Sequence, residues 1–207
     1  MTENKFAARS SEDITKLVQD YPLAWVVSTA GGEPRGSLLP LRPVFVEGRL
    51  AGLTGHFARS NPHVGLLRRD GRALVLFLGC NGYISPSWMA DRTQAPTWNY
   101  ASSQFLVDIE FFDDAGEVEA HLRDLVGAME AGRPNAWSVD EMGERYRSLA
   151  RRVIGFTARI RAAEPRFKLG QDERDDVFAD ILAGLGRERA GVLTQWMKAF
   201  NPDRGQG

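Results

Sequence analysis

The chain has 207 residues with 26 Lys plus Arg against 27 Asp plus Glu. That length suits one core with appended elements, and the near-zero charge argues against a surface made to grip the phosphate backbone of nucleic acid. No window approaches the run of about 18 apolar residues that a membrane span needs, and Met1–Phe6 has no apolar run after a basic start, so the expectations are no membrane and a cytoplasmic address.

Ser10-Ser11-Glu12-Asp13 is a helix start by capping logic, and Ile14, Leu17 and Val18 follow at helical spacing. Leu23–Thr29 is rich in strand formers and closes at the glycine-proline turn 30–34. Arg35–Val46 reads as a returning strand, although Pro40 and Pro43 cannot donate to a ladder and imply an edge or a bulge. Glu47-Gly48 fits a two-residue hairpin turn into a strand over Arg49–Thr54. Asn61-Pro62, an N-cap followed by proline at the first helical position, starts a second helix.

Ala73–Leu78 predicts a buried strand, and Cys80 just after it reads as an inert buried thiol that excludes an internal disulfide. Phe105–Phe112 predicts another strand. From Glu117 the period changes to about 3.6, with Val118, Leu122, Leu125, Val126 and Met129 on one face. Ser138–Glu141 forms a capping box, Val153–Ile160 returns to strand character, and Val177, Ile181, Leu182 and Leu185 mark a C-terminal helix before a frayed tail from Asn201. About six strands in meander order, without repeated βαβ alternation, predict a mainly β (α+β) antiparallel barrel rather than a parallel sheet.

Catalytic signatures are scarce: no phosphate-binding glycine loop, no metal-ligand spacing and three histidines. His121 has no partner at helical spacing and reads as a surface residue, and His63, in the first turn of the Asn61 helix, reads as solvent-facing. His56, Arg59, Ser60 and Asn61 gather at a strand end and a helix N-terminus, where free N–H groups and the helix dipole favour an anion such as a phosphate. The residues alone leave that reading level with simple capping by Ser60 and Asn61 and a solvated Arg59. In 79–88 and 95–100, Tyr83, Trp88, Trp98 and Tyr100 fall on what the prolines mark as loop. As a group they favour the wall of a flat-ligand pocket over a satellite core.

Three ordered strings, Thr54-Gly55-His56-Phe57-Ala58-Arg59-Ser60-Asn61-Pro62, Tyr83-Ile84-Ser85-Pro86-Ser87-Trp88 and Pro96-Thr97-Trp98-Asn99-Tyr100, with Lys168-Leu169-Gly170-Gln171-Asp172 later, resemble the PaiB family. Its members are described as FMN-binding negative transcriptional regulators. The resemblance implies a six-stranded antiparallel split β-barrel with peripheral helices, like the pyridoxamine-phosphate oxidases. It implies a single domain over 1–207 with a helical extension at about 170–200, and a homodimer with flavin at the interface. It would lay the flavin edge along Leu38, Leu39, Pro40 and Leu41, and give the phosphate and ribityl chain to His56, Arg59, Ser60 and Asn61. Trp98, Asn99 and Tyr100 would border the flavin, on the same chain or across the dimer, with Ser85, Trp88, Lys168 and Gln171 from the remaining motifs. The chain departs from the family pattern at Gln104, Gly170 and Asp172. With neither a basic face nor a helix-turn-helix, a regulatory role would be indirect. The alternative is a flavin-dependent oxidoreductase of a small molecule, which needs no catalytic triad because the flavin carries the electrons.

Overall fold

A computed structural model describes residues 4–204; the first three residues of the expected leaderless start and the last three of the expected tail lie outside them. The chain divides into two compact units, one built from residues 18–77 and 104–163, the other from residues up to 17, 78–103 and 164 onward.

In the first unit the strands are β1 (Leu23–Ser28), β2 (Arg35–Pro40), β3 (Arg42–Val46) and β4 (Arg49–Ala58), together with parts of β5 (Arg72–Ile84), β6 (Thr97–Phe112) and β7 (Val153–Lys168). Their order is β2-β1-β5-β6-β7-β4-β3, with β1 antiparallel to β2 and β5, and β4 antiparallel to β3 and β7. Seven strands replace the expected six because Arg35–Val46 is two strands, broken at Leu41, whose N–H donates to the Pro22 carbonyl at 2.7 Å. Pro40 and Pro43 thus fall on the two edge strands, where a missing N–H costs least. Strands consecutive in the chain yet at opposite edges of one ladder require the sheet to curl until its edges approach without pairing, which is the split barrel. Leu41, Leu53, Phe57, Phe77, Phe105 and Phe156 fill it. A Cβ on Gly55 would lie 2.6 Å from Leu41, so glycine there admits the Leu41 side chain to the core.

Local chemistry sets the helix ends. In α2 (Pro62–Arg69) the Asn61 side chain accepts from the His63 N–H at 2.9 Å, as expected of an Asn-Pro start. In α3 (Ala115–Glu130) Asp114 accepts from the N–H groups of Gly116 and Glu117, starting the helix two residues before the expected Glu117. Glu141 accepts from the Ser138 N–H at 3.0 Å ahead of a short 3-10 turn and α4 (Glu144–Ala150). An opening helix, α1 (Ser11–Asp20), begins where the capping logic puts it.

In the second unit α5 (Asp175–Arg187) and α6 (Gly191–Phe200) accompany the far ends of β5, β6 and β7. Phe167, Trp196 and Phe200 stack at 4.9–6.2 Å. Residues 201–204 are tied down rather than frayed: Asn201 is buried and donates to the carbonyls of Leu169 and Met197, and Arg204 donates to that of Gly170. Among the described residues no helix is long and apolar enough to cross a membrane.

Candidate functional site

Strand β2 pairs only with β1, so one side of its backbone is open. Its side chains alternate: Ser37 is buried, Leu38 is exposed, and Leu39 and Pro40 are half-buried. Trp25 lies opposite both Leu38 and Leu76, and the three are 49%, 45% and 36% exposed, an apolar stripe across β2, β1 and β5. Leu41 lies in the core, so only its backbone is available to a ligand.

Beside this edge, His63 is fully buried rather than solvent-facing. Its Nε2 lies 2.9 Å from Ser28 Oγ on β1 and its Nδ1 lies 2.9 Å from Ser37 Oγ on β2, while Asn61 Nδ2 donates to the same Ser37 Oγ at 3.2 Å. Burial, with the nearby Arg35 charge, lowers the His63 pKa. The network fixes β2 against the start of α2. It also engages the helix N-terminus, since the Asn61 N–H donates to Ala58 and the His63 N–H to Asn61. Arg59 holds Asp113 through both terminal nitrogens and donates from Nε to the Arg151 carbonyl at 2.8 Å, so its fork is engaged rather than solvated. Ser60 is exposed.

On β4, Thr54 and His56 share a face, and His121 from α3 meets both; it is 7% exposed, not a surface residue. Thr54 Oγ1 donates to the Phe156 carbonyl at 3.0 Å and therefore accepts from His121 Nδ1 at 3.4 Å. His121 Nε2 is then an acceptor, and His56 Nδ1 donates to it at 3.1 Å, leaving His56 Nε2 unprotonated and without a hydrogen-bond partner among the described residues. Burial lowers both pKa values; for His121, burial first and His56 second push it down to about 4.

The remaining expected residues lie in the other unit, and most of them are on strands, not loops. Tyr83 ends β5 and Trp98, Asn99 and Tyr100 begin β6; only Ser85 and Trp88 sit in the turn, where Ser85 accepts from the Ser87 N–H at 3.2 Å and caps it. Trp98 is 54% exposed, with its ring edge-on to Tyr83 at 6.1 Å. Asn99 is fully buried: its Nδ2 reaches Met197 Sδ at 3.6 Å, and its Oδ1, like Ser103 Oγ, has no partner among the described residues. Arg166 Nε donates to Tyr100 Oη at 2.8 Å, and Lys168 donates to Thr97 Oγ1. Gln171 clamps its own turn, accepting from the Leu169 N–H and donating to the Phe167 carbonyl. Two of the three departures from the family pattern have local causes here: Gly170 has φ 86, and Asp172 accepts from Lys5 at 2.6 Å.

Sequence reasoning missed Trp25, Ser28, Ser37, Asp113 and the burial of two histidines. A signal existed for the histidines. His121 stands three after Val118 and four before Leu125, on the apolar face of α3, and His63 stands four before Leu67.

FMN asks for flat apolar support, backbone donors and acceptors for its ring edge, and cations or hydroxyls for its phosphate. The chain offers the Trp25 stripe and the open β2 edge for the ring in one unit, and the exposed Tyr83–Trp98 pair is a separate apolar surface in the other. Ser60, with Arg59 beside it and the Arg35 charge reaching His63 in the first turn of α2, suits the phosphate. These features fit the group and define the class, a flavin-binding split barrel. Residues 1–162 match the family described as "Putative FMN-binding domain"; the chain belongs to that family, and FMN is its cofactor. It is 27% identical over 184 residues to the protease synthase and sporulation protein PAI 2 of Bacillus subtilis, covering 88% of this chain and 87% of that one. In fold it is similar to the flavocytochrome Anf3 of Azotobacter vinelandii, with TM-score 0.62 and 16% identity over 80% of this chain and 70% of that one. It is also similar to a FAD and haem binding protein of Mycobacterium smegmatis, with TM-score 0.59 and 18% identity over 86% and 79%.

Proposed function

We propose that this FMN protein acts as a homodimer in regulation, at a remove from DNA, as the PaiB resemblance implies. The observation that carries the indirect role is the pairing of arginines with acids. Arg59 with Asp113, Arg72 with Asp70, Arg123 with Asp140, Arg159 with Asp108 and Arg174 with Asp91 each spend a cation that a DNA-gripping face would leave free. The name of the Bacillus relative, which speaks of protease synthesis and sporulation, is consistent with a regulatory setting. The exposed Trp25, Leu38 and Leu76 stripe supports a second copy as partner, since a monomer gains nothing from keeping such a stripe in water.

In this reading the open edge of Leu38–Leu41 meets the flavin ring, with Ser60, Asn61 and His56 toward the ribityl phosphate and Arg59 joining through the guanidinium N–H groups that Asp113 and the Arg151 carbonyl do not use. Trp98 and Tyr100 border the ring, while Ser85, Trp88, Asn99, Lys168 and Gln171 shape the segment that carries them. Bound FMN supplies electron and hydride transfer. The Nε2 of His56, left unprotonated by its bond to His121, favours the second reading, a flavin-dependent oxidoreductase, because it offers a proton acceptor on β4.

The test is direct. The purified, FMN-loaded chain is expected to give no sequence-selective gel shift at physiological salt. NADH and NADPH are then added to the yellow protein: flavin bleaching with turnover on an acceptor would move the assignment to the oxidoreductase, and tight selective DNA binding would overturn the indirect role.

A further inference from the structure

A cavity of about 360 Å³ lies in the unit formed by residues 18–77 and 104–163, lined from the end of β4, α3 and α4. That volume suits a small organic molecule. Its charged lining falls into two groups. Arg59 is held by Asp113 and by the Arg151 carbonyl, and Glu119 accepts from Arg123 at 2.9 Å, so both acids are already matched. Arg147 and Arg151, one helical turn apart on α4 and its C-cap, have no acidic partner among the described residues. Tyr146 lines the same cavity as the apolar Val118 and Ala115, and its Oη is buried and has no hydrogen-bond partner among the described residues. Burial and then Glu119 raise its pKa, so it stays protonated and able to donate. A buried donor without an acceptor, beside two unmatched guanidinium groups, asks for an oxyanion.

We infer that this cavity is a second ligand site, for a small molecule bearing one carboxylate or phosphate on a short apolar body. Arg147 and Arg151 take the oxyanion, Tyr146 donates to it, and Ala115, Val118 and Ala150 receive the apolar part. Carboxylate and phosphate share the property that matters, oxygens that accept from a guanidinium fork. The site stands apart from the flavin reading: Arg59 alone belongs to both, and its fork faces Asp113 rather than the cavity's own arginines.

The test uses the full chain saturated with FMN. Benzoate and phenyl phosphate are titrated in by calorimetry, with benzyl alcohol as the uncharged control, while flavin absorbance is followed alongside. At least one anionic probe is expected to bind saturably at one site per chain, with benzyl alcohol silent and the flavin retained. Arg147→Gln with Arg151→Gln should weaken binding about tenfold or more and Tyr146→Phe about threefold or more, with circular dichroism and FMN affinity unchanged. The inference is overturned by no saturation with either probe up to about 10 mM, by equal binding of benzyl alcohol, by undiminished binding in the double arginine variant, or by displacement of FMN. Should the chain take up no FMN, the flavin reading fails on absorbance while the same titration of the chain alone still decides the cavity.

Discussion

His121 is held neutral by its surroundings: Thr54 takes its Nδ1 proton, His56 points an N–H at its Nε2, and burial excludes the water that would solvate a charge. A proton added to the pair sets two donors against each other. The unfolded chain protonates both rings near the usual 6.5, whereas folded His121 resists until about 4. The stability held by the neutral pair is therefore complete above about pH 6.5 and is lost as pH falls toward about 4, a cost on the order of 3 kcal/mol for His121. Urea midpoints of the native chain should fall over that window, and His121→Gln should shrink the fall; equal falls in both would refute this account. His63 adds to the loss in the same direction, because its pKa is lowered too. Its neighbours give a separate expectation. Ser37→Ala leaves His63 Nδ1 and Asn61 Nδ2 without a buried partner and should cost about 1–3 kcal/mol in urea unfolding. FMN affinity should fall as well, because the same serine fixes β2. A variant as stable as the parent would remove the network from the account.

Among the elements, α5 and the turn Pro86–Trp88 depend on one glycine. A Cβ on Gly184 would run into the body of the Trp88 indole, not the tip of a flexible chain. Gly184→Ala gains about 1 kcal/mol of helix propensity but displaces a packed ring, and the net expectation is a loss of about 1 kcal/mol with a changed near-ultraviolet circular dichroism spectrum. A stabilised variant with an unchanged spectrum would contradict the packing described. Elements whose ends are decided by adjacent residues were legible in the sequence: Asn61-Pro62 starts α2, Ser10-Ser11 starts α1, and the Glu47-Gly48 turn joins β3 to β4. Where distant neighbours decide, local chemistry misleads. Gly79, Gly82 and the prolines around Trp88 look like loop, yet β5 runs on to Ile84 and β6 starts at Thr97. The break at Leu41 was invisible for the same reason, since it exists only because β2 and β3 join opposite ends of one ladder. The candidate site divides likewise. Its residue types and the cofactor were readable from motifs, but the bond between His56 and His121, 65 positions apart, and the ion pair of Arg59 with Asp113 come from the fold.

For the molecule as a whole, flavin and self-association can be separated by linkage. A ligand bound only by the native state stabilises it by about 2.7 kcal/mol at a hundred times its dissociation constant. If the flavin lies between two copies, the gain requires the dimer, and the melting temperature rises with protein concentration as well as with FMN. Trp25 offers the means of testing this, because at 49% exposure it can be changed without opening the core. Trp25→Glu places a charge in the middle of the apolar stripe opposite Leu38 and Leu76, where pairing with a second copy would bury it unmatched. The variant is expected to elute as a monomer, to keep its far-ultraviolet spectrum, and to lose both the yellow colour and the FMN-dependent rise in melting temperature. A monomer that still gains the full stabilisation from FMN would place the whole flavin site within one chain. A variant that stays dimeric would move the interface elsewhere on the surface. Binding and assembly failing together is the outcome that ties the open β2 edge to a flavin held between subunits.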